Sequence, residues 1–235
     1  MKKHLSIILP AAACTALLLV GCGTEPSVPT SSGPSAQTQP QADVDVLADF
    51  QGGGDYARSD DSPAELAAAV PVALTGTIED TAPGLTVVTP PDGSDKLEIR
   101  EEHAIVRVRI DHVYKSEGVD LGSKFAYVAV PLGARLTDSA GNPHGDGPST
   151  IKPISDLQKA LPSGTRVVVA AYLLPDADYG EKYLNADAGA EPGAPLLFGL
   201  APQSFSVEDG ATHSLSGWES MTYDEAVAGL QKSFN

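Results

Sequence analysis

A chain of 235 residues with 42% hydrophobic content can bury one modest core, and its 23 glycines and 19 prolines place much of the remainder in irregular segments. Lys+Arg number 15 against 31 Asp+Glu, a formal net charge of −16 that repels phosphate backbones and anionic headgroups and excludes nucleic acid as a partner. Cys14 and Cys22, the two cysteines, are too few for a disulfide framework.

The chain starts "MKKHLSIILPAAACTALLLVGC", a basic pair, an apolar middle broken by Pro10, and a small residue before a cysteine. That is the order of a secretory signal, and the apolar run falls short of the ~20 residues a spanning helix needs. Leu19-Val20-Gly21-Cys22 resembles a bacterial lipobox. The resemblance implies cleavage between Gly21 and Cys22, diacylglycerol and palmitate on the new terminal cysteine, and a cell-membrane lipoprotein held on the extracytoplasmic face. Residues 1–21 are then the signal peptide, and the mature chain keeps Cys22 alone, so no internal disulfide forms.

Residues 22–61 are rich in Pro, Ser, Thr, Gln and Gly. They bury too little to offset the entropy of ordering, and are expected to be an acidic, flexible tether whose ends average roughly 35 Å apart. Within it, Val44, Leu47 and Phe50 follow a helical spacing. So short a segment is expected to hold transient helix within the tether, with docking on the domain as the alternative.

The folded domain is expected over residues 62–235. Ser62, Pro63 and Glu65 form a capping box with proline at the first helical position, predicting a short helix over "SPAELAAAV". "VALTGTIED" follows as a strand bent or bulged near Gly76. "GLTVVT" is expected as the next strand, and "KLEIREEHAIVRVRIDHVYK" as another. In the latter, Val106, Val108 and Ile110 alternate with Arg107 and Arg109, and Val113 breaks the phase through a bulge near Asp111. "SKFAYVAVPL" and "GTRVVVAAYLL" continue the series, the latter covered on both faces. "PLLFGL" and "QSFSVEDG" complete it, with a tight turn at Asp209-Gly210. A second capping box, Thr222 with Glu225, starts a helix whose Val227, Leu230 and Phe234 are expected to seal one end of the sheet.

Six or seven short strands with only short helices predict a mainly β fold with capping helices. Closure into a small, partly open antiparallel barrel removes sticky edges without disulfides, and a β-sandwich is the alternative. The order of "VALTGTIED", "VRVRIDHVYK", "FAYVAV", "LPSGTRVVVAAYL" and "PQSFSVEDG" resembles exported actinobacterial domains of the OB or netrin-like barrel type. That resemblance implies a barrel over about the last two thirds of the chain.

Chemistry is sparse in the sequence. No G-x-S-x-G box is present, "GPST", "SLSG" and "LPSG" are turn or linker text, and lipidation leaves no thiol, so no enzyme is expected. His103, His112, His144 and His213 lack metal-ligand spacing and are expected to be solvated at strand ends, and no cofactor is called for. Asp138, Asn142 and Asp146 in "DSAGNPHGDG" are calcium candidates, with further oxygens on Asp176, Asp178, Glu181, Asp187 and Glu191, although neither loop matches an EF-hand. Trp218, near Tyr223, is expected to pack the last helix rather than to form a sugar platform with Phe205 and Tyr172. The sequence thus predicts a lipid-anchored binding module with an envelope protein as partner, or a small-molecule or calcium site in the acidic loops; a hydrolase is the least favoured option.

Overall fold

Alternation along the strands decides which side chains share a core. In the computed structural model the described residues are 40–51, 60–91, 96–122, 124–145, 149–175, 181–199, 202–218 and 220–234. Seven strands run β1 (Val72–Thr89), β2 (Leu97–Ser116), β3 (Phe125–Asp138), β4 (Arg166–Leu173), β5 (Lys182–Leu184), β6 (Leu196–Phe198) and β7 (Phe205–Val207). Four helices accompany them: α1 (Val44–Gln51), α2 (Pro63–Ala69), α3 (Ile154–Ala160) and α4 (Tyr223–Phe234).

The sheet order is β5-β1-β2-β3-β6-β4-β7, and β1 also pairs with β4. Strands β1, β2, β3, β6 and β4 therefore form a ring, which is the mainly β, partly open barrel expected and not a sandwich. One pair departs from the antiparallel expectation: β6 runs parallel to β3, from Tyr127↔Leu196 to Ala129↔Phe198. The ring is thin there, since β6 meets β4 only at Tyr172↔Phe198 and Leu173↔Leu197.

"VALTGTIED" and "GLTVVT" are one continuous strand, β1, which passes through Pro83 and Gly84 with a register shift. The bends expected at Gly76 and at Asp111 are a single bulge. Thr75 pairs with His112 and Gly76 with Ile110, leaving Asp111 unpaired in the ladder, and its carboxylate accepts from the Thr77 hydroxyl at 3.0 Å. Glycine is required at 76 because a Cβ there would lie 2.4 Å from the Arg109 carbonyl oxygen.

Inside the ring, Ala104, Val106 and Val108 of β2 meet Val128 and Val130 of β3 and Val167 and Val169 of β4. The opposite face of β4 carries Val168 and Ala170 into a second core with Leu66 of α2 and Leu230 of α4. Two-sided burial explains the unbroken apolar run of β4. A third core on the outer side of β2 and β3 gathers Ile105, Tyr127 and Ala129 with Leu85 and Leu196.

Two expectations change here. Helix α4, capped reciprocally by Thr222 and Glu225 (2.9 and 3.3 Å), lies on the outer face of the sheet instead of sealing its end. The barrel interior is completed instead by α1 and α3, through Leu47, Phe50, Leu157 and Leu161. Helix α1 thus belongs to the fold rather than to a tether reaching residue 61, and the compact unit spans Thr38–Asn235. Asp43 caps α1 at the Val46 amide (3.0 Å), and the Lys152 ammonium donates to the Asp49 carbonyl at 2.6 Å while lying 5.2 Å from the Phe50 ring centroid.

At the first capping box, the Ser62 hydroxyl accepts from the Glu65 amide at 3.3 Å, but the Glu65 carboxylate returns to the Asp61 amide. The Asp209-Gly210 turn is wider than the two-residue type. The Asp209 amide reaches the Ser214 carbonyl at 2.8 Å, and His213 closes the loop at φ 58.

Candidate functional site

Strand register builds the site. Because Ala104, Val106 and Val108 face the barrel interior, Ile105 and Arg107 face outward. Arg107 pairs with Asp80 of β1 on one side and with Tyr127 of β3 on the other, while Ile105 pairs with Ala82 and Ala129. Residues 189–192 fold over these rows. Gly189, at φ +77, approaches so closely that a Cβ would lie 2.8 Å from the Pro83 carbonyl oxygen and 2.9 Å from the Ile105 Cβ. Between floor and roof is a cavity of about 270 Å³, with Arg107 and Tyr127 in its wall and Asp80 and Glu191 also lining it.

Tyr127 is only 2% exposed, and its hydroxyl has no hydrogen-bond partner within 3.5 Å, the Glu191 carboxylate being the acceptor next to it. Burial, reinforced by the nearby Glu191 carboxylate, pushes that hydroxyl's pKa up. The Arg107 guanidinium lies 5.0 Å from the Phe125 ring centroid, and its buried Nε–H is unpartnered.

A second cavity of about 370 Å³ lies farther along β2, lined by Glu102, His103, Leu132 and residues 83–86 and 151–154. His103 is 2% exposed, and neither ring nitrogen has a hydrogen-bond partner. Its Nε2 lies 3.6 Å from Glu101 Oε1, and its ring centroid is 5.7 Å from that of Phe198. Burial lowers the His103 pKa to about 4, so the ring is neutral at pH 7. Burial, and then the charge of Glu181, raises the Glu101 pKa.

The two cavities belong to one pattern. Among the described residues, six have buried side-chain polar atoms without partners, and five of these are on β2 and β3: His103, Arg107 and Tyr127 line the cavities, while Arg100 and Arg135 line neither and reach Glu98 and Glu102 through Nη2. Native interiors pair such groups, so their concentration on one ribbon calls for an explanation.

No family model matches the chain, and neither does any curated protein or solved structure. The site's own chemistry has to identify what it does.

Gly21, Cys22, Asp146, Asp176 and Asp178 lie outside the described residues. Asp138 and Asn142, two of the calcium candidates, are hydrogen-bonded within their own turn. Asp138 Oδ1 accepts from the Ala140 and Asn142 amides, both at 2.9 Å, and Oδ2 accepts from the Asn142 side-chain amide at 3.0 Å. These bonds from Asn142 hold the Asp138 carboxyl below the usual carboxylate range and shape the turn after β3. Glu181 and Glu191 come to the β2–β3 face, while Asp187 is exposed.

His112, His144 and His213 are exposed as expected, but His103 is buried. Its place in the strand alternation, two residues before Ile105, was the available signal. Trp218 packs in the core beneath α4, and its indole N–H donates to the Ser206 hydroxyl at 3.0 Å.

A further titratable cluster ties β4, β7 and α4 together. The Glu208 carboxylate, 5% exposed, accepts from Arg166 Nε at 2.5 Å, again from Arg166 Nη2, and pairs with His213 Nδ1 at 2.9 Å. Arg166 also reaches Asp224 at 3.0 Å and stacks 4.3 Å from the Tyr223 ring centroid. Burial alone would raise the Glu208 pKa, but the bonds from Arg166 and His213 prevail and lower it. Its contribution to stability is therefore complete above the unfolded carboxylate pKa and is lost as pH falls through the depressed folded value. Glu208→Gln is expected to reduce unfolding free energy by about 2 kcal/mol at pH 7. Urea denaturation checks it: an unchanged midpoint at pH 7 contradicts the role given to this carboxylate.

Proposed function

We propose that the protein is a lipid-anchored, extracytoplasmic binding module that takes a small polar ligand on the outer face of β2 and β3. The observation that carries the ligand site is three buried polar groups without partners, His103 in the wall of one cavity and Arg107 and Tyr127 in the wall of the other. The ring order β1-β2-β3-β6-β4, with α3 between β3 and β4, supports an OB-type barrel, a fold whose strand 2–3 face commonly binds ligands.

The anchor rests on the sequence. Acylation of Cys22 places two acyl chains in the bilayer, enough for stable attachment where one is marginal. Cys22→Ala is expected to yield uncleaved precursor or released protein, and normally processed, membrane-bound protein from that variant would overturn the anchor. For the site, full-length Cys22→Ala protein is screened by thermal shift against sugars, amino acids, lipids and divalent ions. A ligand that raises Tm should slow amide hydrogen exchange along β2, β3 and residues 189–192. Protection confined to α2 and α4 would refute this location.

An envelope protein partner is the second reading. It is favoured by Ile99 and Leu136, directly opposite each other on β2 and β3 and 40% and 38% exposed. Binding is preferred to catalysis because the hydrogen-bonded His213–Glu208 pair is engaged by Arg166, with no nucleophile on His213 among the described residues.

A further inference from the structure

We infer that the cavity between Arg107, Tyr127 and residues 189–192 is a receptor for a small zwitterion, a free amino acid or a molecule with the same adjacent ammonium and carboxylate. The inference rests on the proposed β2–β3 binding face and names the chemical class of its occupant.

Depth and charge are graded across the cavity. Tyr127, 2% exposed, offers an O–H with no partner within 3.5 Å, and Arg107 beside it in the β2–β3 register offers a buried Nε–H with none. Both are donors, so the occupant presents an acceptor to them. Arg107 makes no ion pair within 4 Å among the described residues, which leaves its guanidinium charge available to a carboxylate; its aromatic contact is to Phe125.

Asp80 and Glu191 are exposed members of the same lining. Asp80 Oδ1 accepts from the Thr81 amide at 2.8 Å, leaving Oδ2 for an incoming donor. Asp80 is the direct cross-strand neighbour of Arg107, and such neighbours have Cβ atoms about 5 Å apart. Opposite charges therefore sit side by side, cation deeper and anions at the rim. An α-amino acid carries complementary charges one carbon apart.

Other ligand classes fit less well. Inorganic phosphate would satisfy Arg107 and Tyr127 but meet repulsion from Asp80 and Glu191. A simple amine would satisfy the rim and leave both buried donors unpaired, and an apolar molecule would leave all four groups unpaired. The volume, about 270 Å³, lies just under the usual range for drug-sized ligands and restricts the occupant to a small molecule. Ile105, Ala82 and Gly189 supply the apolar floor and roof for its carbon skeleton.

The test is isothermal titration of full-length Cys22→Ala protein with L-alanine, propionate, ethylamine and inorganic phosphate. Alanine is expected to bind at least tenfold more tightly than each of the other three. In the same background, Arg107→Met should weaken alanine at least tenfold and Tyr127→Phe about fivefold. The Phe variant keeps the ring in the outer core, and an unchanged Tm verifies its fold. Equal affinity for propionate and alanine would overturn the inference, as would undiminished binding by a folded Arg107→Met protein. If no zwitterion binds while another compound protects the β2–β3 amides, the ligand class is wrong and the binding face stands. If nothing protects those amides, both fail.

Discussion

Replacing Leu47 with alanine is expected to lower the unfolding free energy by about 3 kcal/mol, and Phe50→Ala by a similar amount. Both side chains enter the barrel core, at 0% and 5% exposure, from a helix of eight residues. A helix this short is marginal in isolation, so what keeps it folded is the surface it buries. Removing both anchors should cost about 6 kcal/mol, a large part of the 5–15 kcal/mol that holds a typical domain together. Truncation at Ser62 deletes the same contacts and the Lys152–Asp49 bond, and should do at least as much. Fluorescence of the single tryptophan, Trp218, buried in a different core, reports global unfolding in urea. Asp45→Ala, on an exposed position of the same helix, is the control and should change stability by less than ~0.5 kcal/mol. A wild-type midpoint for Leu47→Ala would mean that α1 contributes nothing to the core.

Helix α1 also shows where sequence reading reached its limit. The three-residue spacing of Val44, Leu47 and Phe50 is visible, but whether such a helix docks depends on a hole elsewhere in the fold. Here that hole is the barrel interior beside Leu157 and Leu161. Helix α3 leaves a weaker trace, because Pro153 precedes it without a side-chain cap. Strand character and both capping boxes are local properties and were legible.

The same distinction separates the site's parts. Alternation in "AIVRVRI" places Arg107 on the outer face, a local inference. That Tyr127 lies beside it follows only from the β2–β3 register, which shifts at Leu132, and the roof comes from residues more than 80 positions later in the chain. Asp138 and Asn142 illustrate the opposite problem. Their side-chain oxygens suit calcium and turns equally, and what the structure adds is that the two residues hydrogen-bond to each other within the turn.

His103 should make the protein acid-sensitive well above the range where ordinary carboxylates titrate. An unfolded histidine titrates near 6.5, while burial holds this one at about 4. Between those values the unfolded chain binds a proton that the folded chain refuses, so stability falls with pH across that window. The loss from pH 7 to pH 4 is about 3 kcal/mol for this group alone. Glu101 works the other way, since its raised pKa favours the folded state as the pH falls. Glu208, Asp138, Asp209 and Glu225 have depressed values and add losses at still lower pH.

Comparing wild type with His103→Leu cancels the carboxylates to first order and isolates the imidazole. The leucine variant should equal or exceed wild type at pH 7, because it removes two unpartnered buried nitrogens, and its stability should decline by about 3 kcal/mol less on the way to pH 4. Nuclear magnetic resonance titration of the His103 ring in the wild-type protein gives an independent measure that does not depend on the variant folding. A midpoint near 6.5, or parallel pH–stability curves for the two proteins, would show that the ring is solvated and partnered, and the reason for placing a ligand site around it would be lost.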